Sequence, residues 1–96
     1  MDFAAVAGVL ENAATIMDAH PNLNPDQAVR QAVFGNPHAH VPERQTTEAD
    51  LYDEAHSLIE AYCGWQGNGI DRIPRQEAID AARTEAARYR SYGGGT

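Results

Sequence analysis

The stretch Thr47 to Trp65, with the sequence TEADLYDEAHSLIEAYCGW, is the one that decides the fold. Apolar residues recur in it at steps of four and three, which places one stripe of side chains along a helix: Leu51, Ala55, Leu58, Tyr62 and Trp65. A second stripe lies beside it and contains Tyr52, His56, Ile59 and Cys63. Together the stripes are too wide for a simple surface helix. We therefore predict a central helix over residues 47–63, covered on two sides, with Tyr62 and Trp65 in the core.

Three further helices are predicted around this one, over residues 2–20, 25–34 and 74–92. Asp2 can cap the first, and the start of the second reads Asn24, Pro25 and Gln27, a variant of the capping box. Gly8 would allow a close helix crossing within the first. Thr47 is the expected cap of the helix over residues 47–63, and Pro74 opens the last helix. No stretch alternates as a strand does.

The predicted fold class is therefore all-α, a single domain of four helices over residues 1–92, with residues 93–96 as a flexible glycine-rich tail. Residues 36–46 contain two prolines and no helical period, which indicates a surface loop. Residues 65–73 are predicted to form a turn-rich linker around Gly67-Asn68-Gly69. The packing stripe of the last helix consists mainly of small residues: Ala78, Ile79, Ala82, Ala86 and Tyr89. That helix packs very closely or weakly, and the sequence leaves open whether it lies on the third helix or projects toward a partner.

The composition excludes several classes of protein. The formal net charge of −7 argues against nucleic-acid binding through a basic face. The single cysteine excludes an intrachain disulfide, and no apolar run reaches the roughly 20 residues of a membrane span. Met1 is followed by Asp2, without the basic flank of a signal peptide. A cytoplasmic protein is predicted, or a virion component if phage-encoded. Abundant alanine and the absence of lysine favour a high-GC bacterium or its phage as the origin.

Charge is distributed unevenly along the chain. Residues 1–71 contain eleven acidic and two basic residues, whereas residues 72–96 contain five arginines and three acids. The acids of the third helix could face the arginines of the fourth, within one chain or between two copies: Glu48, Asp50, Asp53, Glu54 and Glu60 opposite Arg75, Arg83, Arg88 and Arg90. The alternative is a solvated surface with weak ion pairs, worth about 0–1 kcal/mol each.

Two groups of residues have the side chains of a metal site or of a catalytic thiol–histidine pair, but lack the further ligands or the spacing that such a site needs. His38 and His40 lie close to Glu43, and could share a metal ion in an extended segment, but the cysteine pairs of structural zinc sites are absent. His56 and Cys63 share a helical face, yet two helical turns separate them by about 10.5 Å, which is too far for direct activation of a thiol. We predict no catalytic residue, no cofactor and no metal site, although the sequence leaves metal binding by His38 and His40 open.

Nucleic-acid recognition is also disfavoured by the motifs. The first two helices match a helix-turn-helix only in outline, and the exposed face of the second offers a single arginine, Arg30, within an acidic domain. Gly67-Asn68-Gly69 lacks the Lys-Ser/Thr pair that a phosphate-binding loop carries.

The segment LYDEAHSLIEAYCG, residues 51–64, resembles the long helix of the small head-to-tail connector proteins of tailed phages. The resemblance implies a role in virion assembly. The chain departs from that family after Gly64, where the family's further apolar helix and strand-forming segments are missing.

The function predicted first is a non-catalytic protein–protein interaction module whose partner is another protein or a second copy of itself. The charged edge and the late tyrosine would form the binding surface: Asp50, Asp53, Glu54, Arg83, Arg88, Arg90 and Tyr92. Tyrosine and arginine are typical anchors of protein interfaces. The alternatives are an acidic, DNA-mimic-like inhibitor of a nucleic-acid-binding protein, and a phage connector component.

Overall fold

The described part of the chain forms four helices: α1 (Phe3–Ala19), α2 (Pro25–Phe34), α3 (Thr47–Cys63) and α4 (Arg75–Gly94). The computed structural model describes residues 2–44, 46–65 and 69–94, and these ranges contain no strand. The predicted all-α class with four helices is confirmed. The predicted turn at Gly67-Asn68 lies outside the described residues. Residues 93 and 94 continue α4 beyond its predicted end, and residues 95–96 are not described.

The starts of the first three helices are capped by side chains. The backbone N–H of Ala5 donates to Asp2 Oδ1 at 3.1 Å, and Asn24 and Gln27 form the complete reciprocal capping box at 2.8 and 3.0 Å. The cap of α3 is Thr46, whose Oγ1 accepts from the N–H of Ala49 at 3.0 Å. Thr47, the predicted cap, is instead the first helical residue, because the extended backbone that a cap requires occurs one residue earlier.

The central helix is α1, which corrects the prediction that the helix over residues 47–63 is central. α1 buries seven residues, and its contact with α4 is the most extensive between any two helices: Val6, Ala7, Val9, Leu10, Ala13, Ala14 and Met17. Alanines on α1 and α4 provide much of this contact, because small side chains let two helix backbones approach closely. α3 buries five residues: Ala49, Tyr52, Ala55, Leu58 and Ile59.

Contacts along α4 define the directions of the helices. Arg75, at its start, donates a hydrogen bond to the carbonyl oxygen of Pro21, just after α1. The ring of Tyr89, near its end, packs against Phe3 at the start of α1. Likewise Cys63, which ends α3, lies beside Glu77 in the first turn of α4. α4 is therefore antiparallel to both α1 and α3, and the beginnings of α1 and α3 lie at the same end of the molecule as the end of α4.

The core differs from the predicted one at a few positions. Tyr62 is 49% exposed, which corrects its placement in the core, whereas Trp65 packs against the core cluster as predicted. The linker after α3 contributes two buried residues, Ile70 and Ile73, that its turn-like composition concealed. Gly8 does not mark a close crossing, since a Cβ built there would meet no atom within 4 Å.

No helix in the described ranges is both long and apolar enough to cross a membrane.

Candidate functional site

An exposed cluster of aromatic rings lies where the start of α1 meets the last turns of α4. It consists of Phe3, Tyr89 and Tyr92, called the aromatic patch below, with ring centroids 5.5, 5.6 and 5.7 Å apart. The rings of Phe3 and Tyr89 meet edge to face at 81°, an arrangement that aromatic pairs prefer. Phe3 is 38% and Tyr92 is 53% exposed. The patch thus presents apolar surface to solvent although its members contact one another.

Charged groups border the aromatic patch on two sides. The guanidinium of Arg88 lies 5.6 Å from the ring centre of Tyr89 and 5.9 Å from that of Tyr92, within cation–π range. Glu85 holds that guanidinium through an ion pair of 2.6 Å. On the other side, the hydroxyl of Tyr89 donates to Glu54 Oε1 on α3 at 3.3 Å. Burial, and then the nearby Glu54 carboxylate, raise the pKa of Tyr89.

A groove of about 250 Å³ opens between the first turns of α1 and α3. Its α1 wall is formed by Asp2 and Ala5, and its α3 wall by Thr47, Asp50 and Leu51. Two chain segments run from this groove to the aromatic patch. Asp2 immediately precedes Phe3, and Glu54, which holds Tyr89, is one helical turn after Asp50. The groove and the patch therefore form one continuous surface at one end of the molecule.

The predicted binding residues are separated by the fold into two groups. Glu54, Arg88 and Tyr92 meet at the aromatic patch, and Asp50 lines the adjacent groove. These four residues form the candidate site. Asp53 is exposed on α3 and lines neither the patch nor the groove.

The remaining two predicted residues, Arg83 and Arg90, face α1 rather than α3. Arg83 lies 3.9 Å from Asp18, and Arg90 forms an ion pair with Glu11. The interpretation that these two arginines face the acids of α3 within one chain is thus corrected, because antiparallel packing on α1 gives them carboxylates along that helix. The alternative, contact with the acids of a second copy, stays a prediction. The side chains of both pairs are about half exposed or more, and such pairs contribute about 0–1 kcal/mol to stability.

A polar network between α2 and α3 was not predicted from the sequence. The hydroxyl of Tyr52 donates to Asp26 Oδ1, and the Nε of Arg30 donates to Asp26 Oδ2 at 2.8 Å. Arg30 also donates to the carbonyl oxygen of Ala39 at 2.7 Å, which fastens the loop before α3. Burial is the main cause that raises the pKa of Tyr52, followed by its hydrogen bond to Asp26. The four-residue spacing of Asp26 and Arg30 was the available signal, but nothing local indicated Tyr52.

This network also bears on nucleic-acid binding. Arg30, the one arginine that α2 could offer to a groove of DNA, is engaged by Asp26, Ala39 and Tyr52. These three contacts hold the guanidinium in place between α2, the loop that follows it and α3. Arg30 is therefore committed to contacts within the fold, as far as the described residues show.

Cys63 lies in a second, more open cleft, of about 310 Å³, with Tyr62, Glu77 and Asp80. Its Sγ is 3.8 Å from the carbonyl oxygen of Glu77, and His56 is not part of this cleft. Burial, and then the charge of Glu77, raise the pKa of the Cys63 thiol. A raised pKa reduces the thiolate fraction, which is the opposite of what activates a nucleophilic cysteine.

Among the residues that the structure describes, histidine and acidic side chains do not converge on a metal-binding arrangement. Within the part of the chain that the structure describes, no group of three or more histidine, cysteine, aspartate or glutamate side chains could hold a metal ion. His38 and His40 lie on the loop between α2 and α3, and the contact recorded for His38 is its own N–H donating to Asn36 Oδ1 at 2.8 Å.

Comparisons with protein-family models, with curated proteins and with solved structures gave no match for this chain. The resemblance of residues 51–64 to connector proteins therefore stays a prediction, and the functional interpretation rests on the chain's own geometry.

Proposed function

We propose that this chain is a non-catalytic interaction module that binds a different protein through the aromatic patch, and that the partner presents a basic surface. The observation that carries the proposal is the meeting of Phe3 with Tyr89 and Tyr92. Phe3 lies near the start of the sequence and the two tyrosines lie near its end. Phe3 and Tyr92 leave large parts of their rings in solvent. Grouped aromatic side chains with an apolar face and a polar edge are typical of the energetic centre of protein interfaces.

The partner's basic character follows from the charges around the patch. Asp2 lies beside Phe3 at the start of α1, Glu54 lies on α3, and the whole chain carries −7. Arg88, the cation beside the rings, is already paired with Glu85. A basic partner is attracted to this surface and steered toward it during encounter.

A second copy of the chain fits this surface less well. In a symmetric dimer the same patch faces itself, so the acids of both copies would approach one another. Self-association through the arginines of α4 stays an untested prediction, and Arg83 and Arg90 already have partners on α1. We further propose a cytoplasmic location, because a single free cysteine such as Cys63 is typical of reducing compartments.

Site-specific photocrosslinking in the cells that encode the chain tests the proposal. A benzophenone amino acid replaces Tyr92 in one variant and Tyr62 in another; these two tyrosines are similarly exposed, at 53% and 49%, but only Tyr92 belongs to the patch. We expect an adduct with one other protein from position 92 that is absent from position 62 and is lost when Phe3→Ala is added.

Three results would contradict the proposal. The first is no adduct at position 92, and the second is an identical set of adducts at both positions. The third is an adduct of the chain with itself, which would replace the basic partner by a second copy. If the expected adduct forms, the purified partner should bind the Phe3→Ala variant at least about tenfold more weakly than wild type, as is common for an interface anchor.

A further inference from the structure

Glu85, on α4, is the one charged residue that the fold buries among the residues that the structure describes, with 8% of its surface exposed. It lies on the packing side of α4, next to the buried Ala82 and Ala86. A buried carboxylate loses hydration that an ion pair repays only in part, and an apolar residue in such a place is often at least as stabilising. Stability alone therefore does not explain an acid at this position.

The cation that Glu85 holds lies over the aromatic patch. The Nε and Nη2 of Arg88 both lie against Glu85 Oε2, at 2.7 and 2.6 Å. The guanidinium also lies within cation–π range of the rings of Tyr89 and Tyr92, although the Arg88 side chain is half exposed. Two nitrogens on one carboxylate oxygen fix the orientation of the guanidinium. Glu85 thus sets both the position and the net charge of the pair beside the rings.

We infer that Glu85 is the positioning residue that makes the aromatic patch selective for a basic partner, because it holds Arg88 against the rings and neutralises its charge. Without this carboxylate, Arg88 would present a full positive charge 5.6 and 5.9 Å from the two ring centres on which the partner docks. Like charges at such distances repel, more strongly near a protein surface than in bulk water. The inference rests on the proposed function, since it names the residue that sets which sign of charge the patch accepts.

A nuclear magnetic resonance titration with two short peptides tests the role of Glu85 without the partner. The probes are N-acetyl-Lys-Leu-Lys amide and N-acetyl-Glu-Leu-Glu amide, which share an apolar centre and carry opposite charges. We expect saturable shifts at the backbone amides of Phe3 and Tyr92 with the basic peptide. Wild type should bind the basic peptide at least about threefold more tightly than the acidic one.

The Glu85→Gln variant keeps the shape of the side chain and removes the charge that neutralises Arg88. Its preference for the basic peptide should fall by at least about threefold, or reverse. Adding Arg88→Gln to this variant should restore the preference, because the double variant carries neither charge. A merely structural role for Glu85 gives no such rescue, since the double variant also lacks the ion pair. Arg88→Gln alone, at a half-exposed position, should increase the preference, and it decides the question if Glu85→Gln does not fold.

Asp18→Asn is the matched control. It removes one carboxylate and releases Arg83 from its 3.9 Å contact, just as Glu85→Gln releases Arg88. Asp18 lies near the end of α1, at the opposite end of that helix from Phe3, so the preference should stay within about twofold of wild type. A fall equal to that of Glu85→Gln would assign the effect to net charge and overturn the inference. An unchanged preference in Glu85→Gln, no rescue by Arg88→Gln, or no shifts at the patch with either peptide would overturn it as well.

The photocrosslink at position 92 separates this inference from the proposed function. An adduct that forms equally well in wild type and in Glu85→Gln overturns the role of Glu85 but keeps the interaction module. No adduct in wild type, together with the expected peptide preferences, overturns the proposed function and keeps Glu85 as the residue that sets the charge of the patch.

Discussion

The hydroxyl of Tyr52 donates a hydrogen bond to the carboxylate of Asp26, and this contact joins α3 to α2. The same carboxylate accepts from Arg30, which also holds the loop before α3. Tyr52→Phe removes the hydroxyl and leaves Asp26 and Arg30 each short of one partner. We expect the free energy of unfolding to fall by about 1–3 kcal/mol, as for other hydrogen bonds to charged groups. Urea unfolding followed by circular dichroism measures the change.

Tyr62→Phe is the matched control for this variant, because Tyr62 is an exposed tyrosine on the same helix. Its stability should stay within about 0.5 kcal/mol of wild type. Equal losses in the two variants would show that the network does not stabilise the fold.

The raised pKa of Tyr52 has a consequence at alkaline pH. The folded protein retains the Tyr52 proton at pH values where the unfolded chain, with a tyrosine pKa of about 10, begins to lose it. The stability that this retained proton provides is complete below about pH 10 and is lost as the pH rises toward the folded-state pKa. We expect the free energy of unfolding to fall more steeply above about pH 10 in wild type than in Tyr52→Phe.

Absorbance of the tyrosinate form provides a second measurement of the same property. Of the four tyrosines in the sequence, Tyr52 should ionise last, and Tyr52→Phe should remove the final step of the titration. A titration whose last step persists in that variant would assign the raised pKa to another tyrosine.

The helices were predictable from the sequence because their signals are local. The Asn24–Gln27 capping box and the spacing of apolar residues each act within a few residues, and both predicted structure that is present. The central position of α1 was not predictable in the same way. Its buried alanines, such as Ala7 and Ala13, are weak hydrophobic signals, and they matter only because α4 approaches closely enough to use them.

The candidate site was only partly predictable for a related reason. Tyr92 and Arg88 could be identified by residue type, and Tyr92 was expected to be exposed. Phe3 could not be identified, because nothing local shows that antiparallel packing brings it beside Tyr92. The partners of Arg83 and Arg90 were missed likewise, since a charge pattern does not specify which helix lies opposite.

Gly8 and Gly35 should respond in opposite ways to replacement by alanine. Gly8 lies within α1, and an added Cβ would meet no atom within 4 Å, so Gly8→Ala should stabilise the fold by about 0.5–1 kcal/mol through helix propensity. Gly35 ends α2 with a φ of 78°, which disfavours a Cβ, so Gly35→Ala should cost about 1–2 kcal/mol. Thermal unfolding of both variants tests this, and a loss of stability in Gly8→Ala would mean that the site is crowded.

The alanines of α4 should tolerate enlargement only on the exposed side. Ala82 is fully buried and Ala87 is exposed on the same helix. Ala82→Leu forces additional methylene groups into a packed contact and should destabilise the fold by about 1–3 kcal/mol. Ala87→Leu should change stability by less than about 0.5 kcal/mol. Chemical denaturation compares the pair, and equal tolerance at both positions would indicate that α4 packs loosely.

Salt should separate the contributions of the acidic residues and of the aromatic patch once the crosslinked partner is purified. Attraction between the acidic residues beside the aromatic patch and a basic partner weakens as the salt concentration rises, so the dissociation constant should increase with ionic strength. The combined Asp2→Asn and Glu54→Gln variant should show a smaller dependence on salt. The Tyr92→Ala variant should bind the partner at least about tenfold more weakly than wild type does. Its dependence on salt should be unchanged, because the substitution removes apolar contact and no charge. A DNA-mimic inhibitor predicts the reverse, with affinity set by acids such as Asp53 and little effect of Tyr92→Ala. Calorimetric titrations at two salt concentrations therefore decide between the two functions.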